Sequence, residues 1–311
     1  MKIQYAPYSL KKKTRTNAKD GGTNQEGVLI KVSRGKAWGV ADLSPHPELG
    51  DLPWQKQLIK KGPLYKRAIV LAQVDMIARR DTKSLLLNRW VKNNYLVTDY
   101  KNFDFTDPMY LGHTIKIKGD QSIEDLVKIL NFISGDIKIR LDFNCSLSLT
   151  LFQVFLDALT PSALKHIEYI EDPTAFNLVH WKMWNKIVPL AWDQQKARAP
   201  FLINAADYKI IKVTREPEPG LKWNLLSTFK HYTLTSAMDH PVGLAHGLRI
   251  AQKLAKNESG FLTLDLYETT PFHRYFIQKN NELNFSNEAL LDAGIGMTEE
   301  LDKLRWTDGA L

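Results

Sequence analysis

The 311-residue chain has one cysteine, no long hydrophobic run and no glycine-rich phosphate motif, and each absence excludes a class of protein. The single Cys145 cannot form an internal disulfide, so no oxidising compartment is required. No segment approaches the roughly 18 apolar residues of a membrane-spanning helix. No GxGxxG or Walker-A pattern indicates a nucleotide site. Zinc-finger, homeodomain and RNP patterns are also missing, which argues against nucleic acid as a partner.

The first residues, MKIQYAPYSLKKKTR, contain no apolar segment of the kind found in secretory signals. We therefore expect a soluble cytoplasmic protein that binds neither a membrane nor nucleic acid. No stretch of sequence offers an obvious large apolar interface, which favours a monomer.

The net charge of +8 suits an anionic small-molecule substrate. The one dense basic cluster, KKKTRTNAK, spans residues 11–19 and precedes the pair Gly21-Gly22. This cluster is simply solvated, belongs to a mobile loop, residues 14–23, over such a substrate, or contacts nucleic acid, which is the alternative that no motif supports.

Residues 1–95 predict an α+β unit. The segment GVLIKVSRGKAWGVADLSP predicts two short strands that turn at Arg34-Gly35. LYKRAIVLAQVDMIARR predicts an amphipathic helix that buries one face, formed by Leu64, Ala68, Leu71, Val74 and Ile77. We expect this capping domain to be joined by part of residues 265–311.

Residues 96–264 alternate between strand-like and helix-like segments, which is typical of a parallel sheet. The strand-like segments are TIKIKG, IKIRLDFN, HIEYIED, VPLAWDQ, YKIIKVT and HYTLTSAMD. Each ends in a charged or hydroxyl residue, whereas an open doubly wound sheet binds its ligand at one switch point. Sites assembled from many strand ends are typical of a β/α barrel, which is the predicted fold.

Acidic residues stand at the ends of three successive strands of this barrel: Asp142, Glu171 and Asp193. In IKIRLDFN, strand alternation puts Lys138, Arg140, Asp142 and Asn144 on one face. Converging carboxylates repel each other, and a hard cation such as Mg²⁺ or Mn²⁺ would resolve that conflict. The alternative is that each acid pairs with a neighbouring lysine or arginine.

Lysines flank these acids on both sides. Lys116 and Lys118 share one face of the strand before them, and Lys212 ends a later strand. A partly desolvated lysine beside a dication loses its proton more readily and can act as a base. A lone barrel lysine is more often a structural ion pair or a Schiff-base former, but a lysine on each side of three acids favours proton transfer.

This series resembles the enolase superfamily: Lys-x-Lys, then Asp-x-Asn, Glu-x-Pro, Asp and Lys on successive strands. Within it, RLDFN, YIEDP, LAWDQ, IIKVT and LTSAMDHPVGLAHGLRIA are most similar to the o-succinylbenzoate synthase family of the menaquinone pathway. The N-terminal segments KKTRTNAKDGGTNQEGVLIKV and GVADLSPHPELGD resemble its capping domain. The likeness covers most of the chain and is thin between about residues 50 and 105.

The resemblance implies a TIM-type (β/α) barrel of the enolase-superfamily kind with an α+β capping domain, and it implies a role for each residue. Superfamily members use a lysine or histidine base with Mg²⁺, so Asp142, Glu171 and Asp193 would bind Mg²⁺, with Mn²⁺ as a substitute. Lys118 would remove the proton α to a carboxylate, and Lys212 would stabilise the enediolate.

Four further residues receive supporting roles. Arg140 and Ser236 would contact the substrate, Asn144 would support the ligand shell, and Lys116 would be an electrostatic neighbour of Lys118.

The implied reaction is the syn dehydration of 2-succinyl-6-hydroxy-2,4-cyclohexadiene-1-carboxylate to 2-succinylbenzoate. Two alternatives stay open at this point. The same acids and lysines would also serve an N-acylamino acid racemase or a dipeptide epimerase. A basic binding protein on a catalytically dead barrel is the non-enzymatic alternative, although no ligand or lysine of the series is missing.

Overall fold

A computed structural model of the chain describes residues 1–13, 22–119, 122–193, 204–216 and 229–309. Its contacts divide the chain into two compact units. The first contains Met1–Asn93, Lys212–Leu221 and Leu234–Leu311, and the second contains Asn94–Ile211 and Lys222–Thr233.

The described strands, in chain order, are β1 (Lys2–Lys11), β2 (Asn24–Arg34), β3 (Ala37–Leu43), β4 (Val91–Lys92), β5 (Tyr95–Val97), β6 (Thr114–Lys118), β7 (Lys138–Asp142), β8 (Ile167–Glu171), β9 (Leu190–Trp192), β10 (Tyr208–Lys212), β11 (His231–Thr235), β12 (Phe276–Lys279), β13 (Glu282–Phe285) and β14 (Thr307–Asp308). The described helices are α1 (Trp54–Lys60), α2 (Pro63–Arg80), α3 (Ile123–Phe132), α4 (Leu149–Asp157), α5 (Pro161–His166), α6 (Leu178–Trp184), α7 (Pro241–Leu254), α8 (Asn287–Leu291) and α9 (Thr298–Asp302).

The first unit contains a four-stranded antiparallel sheet in the order β14-β1-β2-β3. The predicted hairpin is confirmed, because Arg34 pairs with Ala37 across a turn in which Gly35 has a φ of 60°. Helix α2 lies so close to β3 that a Cβ on Gly39 would stand 2.2 Å from the Met76 nitrogen. Only glycine permits this approach of helix and strand.

The predicted helix is confirmed as α2, but the prediction of its buried face is partly wrong. Leu64, Ala68 and Leu71 are buried as expected, whereas Ile77 is 48% exposed. Asp75 continues the buried face instead and is fully buried. Its carboxylate accepts hydrogen bonds from backbone amides and from Arg79, which partly offset the cost of burying a charge.

A seven-stranded parallel sheet runs in the order β11-β10-β9-β8-β7-β6-β5, and the predicted β/α barrel is confirmed. Its strands β6 to β11 are the six segments predicted from the sequence, whereas β5 was not predicted. Isolated parallel bridges pair Gly260 with Thr235 and Ser259 with Asn93 beyond the regular strands. Two of the helix-like segments that alternate with these strands, residues 194–206 and 219–230, lie mostly outside the described residues, as does most of the loop at 14–23.

The helices of the second unit begin at side chains that cap their first turn. Ser122, Ser148, Thr160 and Asn177 each accept a hydrogen bond from the backbone amide three residues later. Such caps satisfy amides that have no partner within the helix. The aliphatic faces of β6 to β8 pack on these helices and leave the polar faces of the strands for the barrel interior.

No helix among the residues that the structure describes is long and apolar enough to cross a membrane.

Two buried histidines of the first unit should make the protein sensitive to acid. Burial lowers the pKa of His240 to about 3, and burial followed by the charge of Arg249 lowers that of His246 well below its ordinary value. In the unfolded chain both imidazoles titrate near pH 6.5. Below about that pH the unfolded state therefore binds more protons, and the free energy of unfolding falls.

We expect each neutral histidine to contribute a slope that rises as the pH falls below 6.5 and approaches about 1.4 kcal/mol per pH unit near pH 5. Urea unfolding at several pH values measures this slope. His246→Gln should reduce this slope, because it removes the imidazole that titrates. The variant should keep the fold, since the glutamine amide can still donate to the Val40 carbonyl that His246 contacts at 2.9 Å. The exposed His231→Gln is the control. A wild-type slope in His246→Gln would contradict the assignment.

Candidate functional site

The polar ends of three neighbouring strands stand at one level of the barrel. Lys118 at the end of β6 pairs in register with Asp142 of β7, and Asp142 pairs with Glu171 of β8. Glu171 in turn pairs with Ala191 of β9, two residues before Asp193. The parallel register therefore brings the carboxyl ends of the strands together, where barrel enzymes have their active sites.

The two lysines of β6 bind the acids directly. The Lys118 ammonium lies 2.5 Å from Asp142 Oδ2, and the Lys116 ammonium lies 2.9 Å from the same oxygen. Lys116 also donates to Glu171 Oε2 at 2.6 Å. The side chains of Lys118, Asp142 and Glu171 are almost fully buried, so these ion pairs are shielded from solvent.

Burial and the neighbouring charges shift the pKa values of these groups in opposite directions. Burial alone would lower the pKa of Lys116, but the carboxylates of Asp142 and Glu171 outweigh it and raise that pKa well above its usual value. Burial alone would raise the pKa of Asp142, but Lys116 and Lys118 lower it strongly. Lys116 and Asp142 are thus held in their charged forms.

The turns after the strands have unusual backbone conformations. Asn144, Cys145 and Asp172 have φ values of 48°, 60° and 42°, in the left-handed region. These turns direct amides at the acids: the Asn144 amide donates to Asp142 Oδ1 at 3.2 Å, and the Asp193 amide donates to Asp172 Oδ1 at 3.2 Å. Left-handed conformations in non-glycine residues are costly and cluster at functional sites.

Asp172 adds a fourth carboxylate, to which the sequence analysis assigned no role. Burial raises its pKa well above the ordinary value, and the charges of Asp193 and Glu171 raise it further. The carboxylates are therefore close enough to repel each other. The doublet Glu171-Asp172 before Pro173 was the available signal for this residue.

Within the described parts of the chain, no three His, Cys, Asp or Glu side chains are grouped closely enough to hold a metal ion. Lysine ammonium groups bind Asp142 and Glu171 instead. The donor chemistry nevertheless fits a hard divalent cation, because the acids supply only oxygen ligands. Bound cation charge would also relieve the repulsion that raises the pKa of Asp172.

Arg140 lies deeper in the same barrel and is 0% exposed. Its Nε donates to Glu168 Oε2 at 2.7 Å, its Nη1 donates to Asn94 Oδ1 at 3.1 Å, and its guanidinium stands 5.1 Å from the Tyr169 ring centre. The sequence gives no signal for Glu168 as a partner of Arg140, because the acid lies on the next strand. The predicted contact of Arg140 with a substrate carboxylate stays a prediction.

Lys212 and Ser236 belong to the first unit. Lys212 is the last residue of β10, and Ser236 directly follows β11. Both therefore come at strand ends, as the sequence predicts. The hydroxyl of Ser236 is buried and contacts Asp239, Met238 and Thr263.

Comparison with known proteins relates the chain to one family of enzymes. Residues 3–78 match the family described as "O-succinylbenzoate synthase, N-terminal domain". An o-succinylbenzoate synthase of Bdellovibrio bacteriovorus is 32% identical over 335 aligned positions, which cover 98% of each chain.

Solved structures of two further enzymes share the fold. The L-Ala-D/L-Glu epimerase of Bacillus subtilis superposes with a TM-score of 0.75 at 15% identity, covering 95% of this chain and 98% of its own. The muconate lactonizing enzyme of Pseudomonas fluorescens superposes with a TM-score of 0.73 at 13% identity, covering 97% and 98%. At these identities the likeness concerns the fold.

Proposed function

Because the chain belongs to the o-succinylbenzoate synthase family, which is a family of hydro-lyases within the enolase superfamily, we propose that it forms 2-succinylbenzoate. The substrate would be 2-succinyl-6-hydroxy-2,4-cyclohexadiene-1-carboxylate, which loses water by syn elimination in menaquinone biosynthesis. The observation that carries this proposal is the buried contact between Lys118 and Asp142, with Glu171 in register beside them. This contact supports Lys118 as the base, because it lies beside the acids at the carboxyl ends of the strands.

We propose Mg²⁺ as the physiological metal, with Mn²⁺ as a substitute, held by Asp142, Glu171 and Asp193. When bound, a divalent cation supplies positive charge that stabilises a substrate carboxylate as it takes up charge in the transition state. Asp172 would orient the turn at Asp193, because its carboxylate accepts a hydrogen bond from the Asp193 amide.

The chain's own residues then account for the proton movements. Lys118, as the neutral amine, takes the proton α to the carboxylate and becomes an ammonium. Lys212, as a cation, stabilises the enediolate. Lys118 returns its proton to the β-hydroxyl, which leaves as water. One base on one face suffices for both transfers, which is why the elimination is syn.

A second candidate reaction is the racemisation of an N-acylamino acid or the epimerisation of a dipeptide. It is favoured by one observation, the lysine at each of two strand ends, Lys118 and Lys212. Racemisation needs acid–base groups on both faces of the substrate carbon, whereas dehydration needs one. The succinylbenzoate reaction stays the preferred proposal because it is the reaction of the family.

We propose that the enzyme acts in the cytoplasm as a monomer on an anionic small-molecule substrate. The overall charge of +8 would favour the approach of a dicarboxylate.

The direct test assays purified protein for dehydration and for racemisation of N-succinylamino acids, with Mg²⁺, with Mn²⁺ and with EDTA. We expect dehydration that requires the metal and exceeds racemisation. Fast racemisation without detectable dehydration would refute the proposed reaction.

Metal binding can be tested without any substrate. We expect millimolar Mg²⁺ to raise the melting temperature, because a ligand that binds only the native state stabilises it. Asp193→Ala should abolish the shift. Asp207→Asn is the matched control, because Asp207 is another partly buried carboxylate of the second unit that binds Asn185 and Lys230. An equal shift in wild type and Asp193→Ala would exclude Asp193 as a ligand.

A further inference from the structure

The turn after β11 is held by its own side chains. The Ser236 hydroxyl accepts hydrogen bonds from the Met238 amide at 2.8 Å and from the Thr263 hydroxyl at 3.1 Å, and it lies 3.4 Å from Asp239 Oδ2. The Met238 carbonyl accepts from the Tyr267 hydroxyl at 2.7 Å. The turn therefore has little freedom to move by itself.

Asp239 connects this turn with the turn after β10. Its buried carboxylate accepts from the Ala237 amide at 3.0 Å within its own turn. Its other oxygen accepts from the Thr214 hydroxyl at 2.8 Å. Thr214 lies two residues after Lys212, inside a turn closed by bonds from the Arg215 and Glu216 amides to the Lys212 carbonyl.

The carboxyl group of Asp42, on β3, extends the same network. It accepts from the Tyr8 hydroxyl at 2.6 Å and from the His240 amide, next to Asp239, at 2.9 Å. Gly243 packs tightly against both aspartates, since a Cβ at this position would lie 2.6 Å from Asp42 Oδ2 and 2.7 Å from the Asp239 Cβ. Asp239 thus cannot shift without disturbing strands β1 and β3.

We propose that Asp239 is a positioning residue, which fixes Lys212 through the Thr214 hydroxyl and thereby aligns the β10 and β11 strand ends for the reaction. The inference rests on the proposed function for the role of Lys212. It assigns Asp239 and Thr214 no contact with the substrate. A carboxylate suits the task because it accepts several hydrogen bonds at once, and buried bonds to a charged group are stronger than neutral ones.

The test compares two substitutions of Thr214 that differ by one polar atom. Thr214→Val removes the hydroxyl and keeps the shape, whereas Thr214→Ser keeps the hydroxyl. We expect Thr214→Val to lower kcat by about 10- to 100-fold, because small misplacements of catalytic groups have effects of this size. KM should change less than about twofold. Thr214→Ser should restore most of the lost turnover.

Two further measurements separate positioning from a general structural role. A substrate deuterated at the α-carbon should show a larger isotope effect on kcat in Thr214→Val, because proton removal becomes more rate-limiting. Reductive methylation with ¹³C-formaldehyde gives an NMR signal for Lys212, assigned as the one lost in Lys212→Arg. That signal should shift in Thr214→Val and stay in place in Thr214→Ser.

The outcomes distinguish the two proposals. If wild-type protein shows no dehydration, but the Lys212 signal shifts in Thr214→Val and not in Thr214→Ser, the proposed reaction is wrong and the positioning role stands. If Thr214→Val leaves kcat and the Lys212 signal unchanged, the positioning role is refuted. Equal losses in both Thr214 variants, accompanied by a lower melting temperature, would also refute it.

Discussion

Replacing Lys118 by alanine is expected to lower kcat by about 10³- to 10⁴-fold, the upper range for loss of a general acid–base group. Lys118→Arg should be nearly as inactive, because a guanidinium keeps the charge but cannot give up its proton. The comparison therefore separates proton transfer from simple charge. Steady-state kinetics of the dehydration under saturating metal provide the measurement.

Stability should be largely preserved in these variants. Asp142 keeps the Lys116 ammonium at 2.9 Å when Lys118 is replaced, so its buried charge stays paired. Lys128→Ala is the matched control, since Lys128 is an exposed lysine whose ammonium lies 3.9 Å from Asp125. If Lys118→Arg retained wild-type turnover, Lys118 would be a source of charge and another group would be the base.

Replacing Asp75 by alanine is expected to reduce the free energy of unfolding by about 3–5 kcal/mol, the range for breaking a buried ion pair from one side. The Asp75 carboxylate accepts from the Val40 amide at 2.9 Å, the Ile295 amide at 2.7 Å and Arg79 Nε at 2.9 Å. All three donors would lose this acceptor in a buried environment. Urea unfolding gives the measurement.

Asp81→Ala on the same helix end provides the contrast. Asp81 pairs with Arg80, but both side chains are exposed, so no measurable loss of stability is expected. If Asp75→Ala were as stable as Asp81→Ala, α2, β3 and the segment around Ile295 would not depend on this carboxylate for their packing.

The sequence alone determined the architecture and the residues at the strand ends. Alternation of β and α segments predicts the barrel, and alternation within IKIRLDFN separates polar residues from the aliphatic residues that pack on the helices. These patterns are local, with periods of two and about 3.6 residues, so they can be recognised without knowing which strands are neighbours. The series of acids and lysines was enough to indicate the family.

The tertiary structure decided which of those residues meet. Lys116 reaches Glu171 on a strand that is not its neighbour, and Arg140 finds Glu168, because strand register and barrel curvature bring distant parts of the chain together. Asp75 is not part of the apolar face predicted for α2, yet it is buried and accepts hydrogen bonds from backbone amides of two distant segments. The burial of a side chain and its hydrogen-bond partners depend on non-local packing, which no local period encodes. The succession of strands along the chain and the polar residues at their ends are local features, which the sequence shows directly.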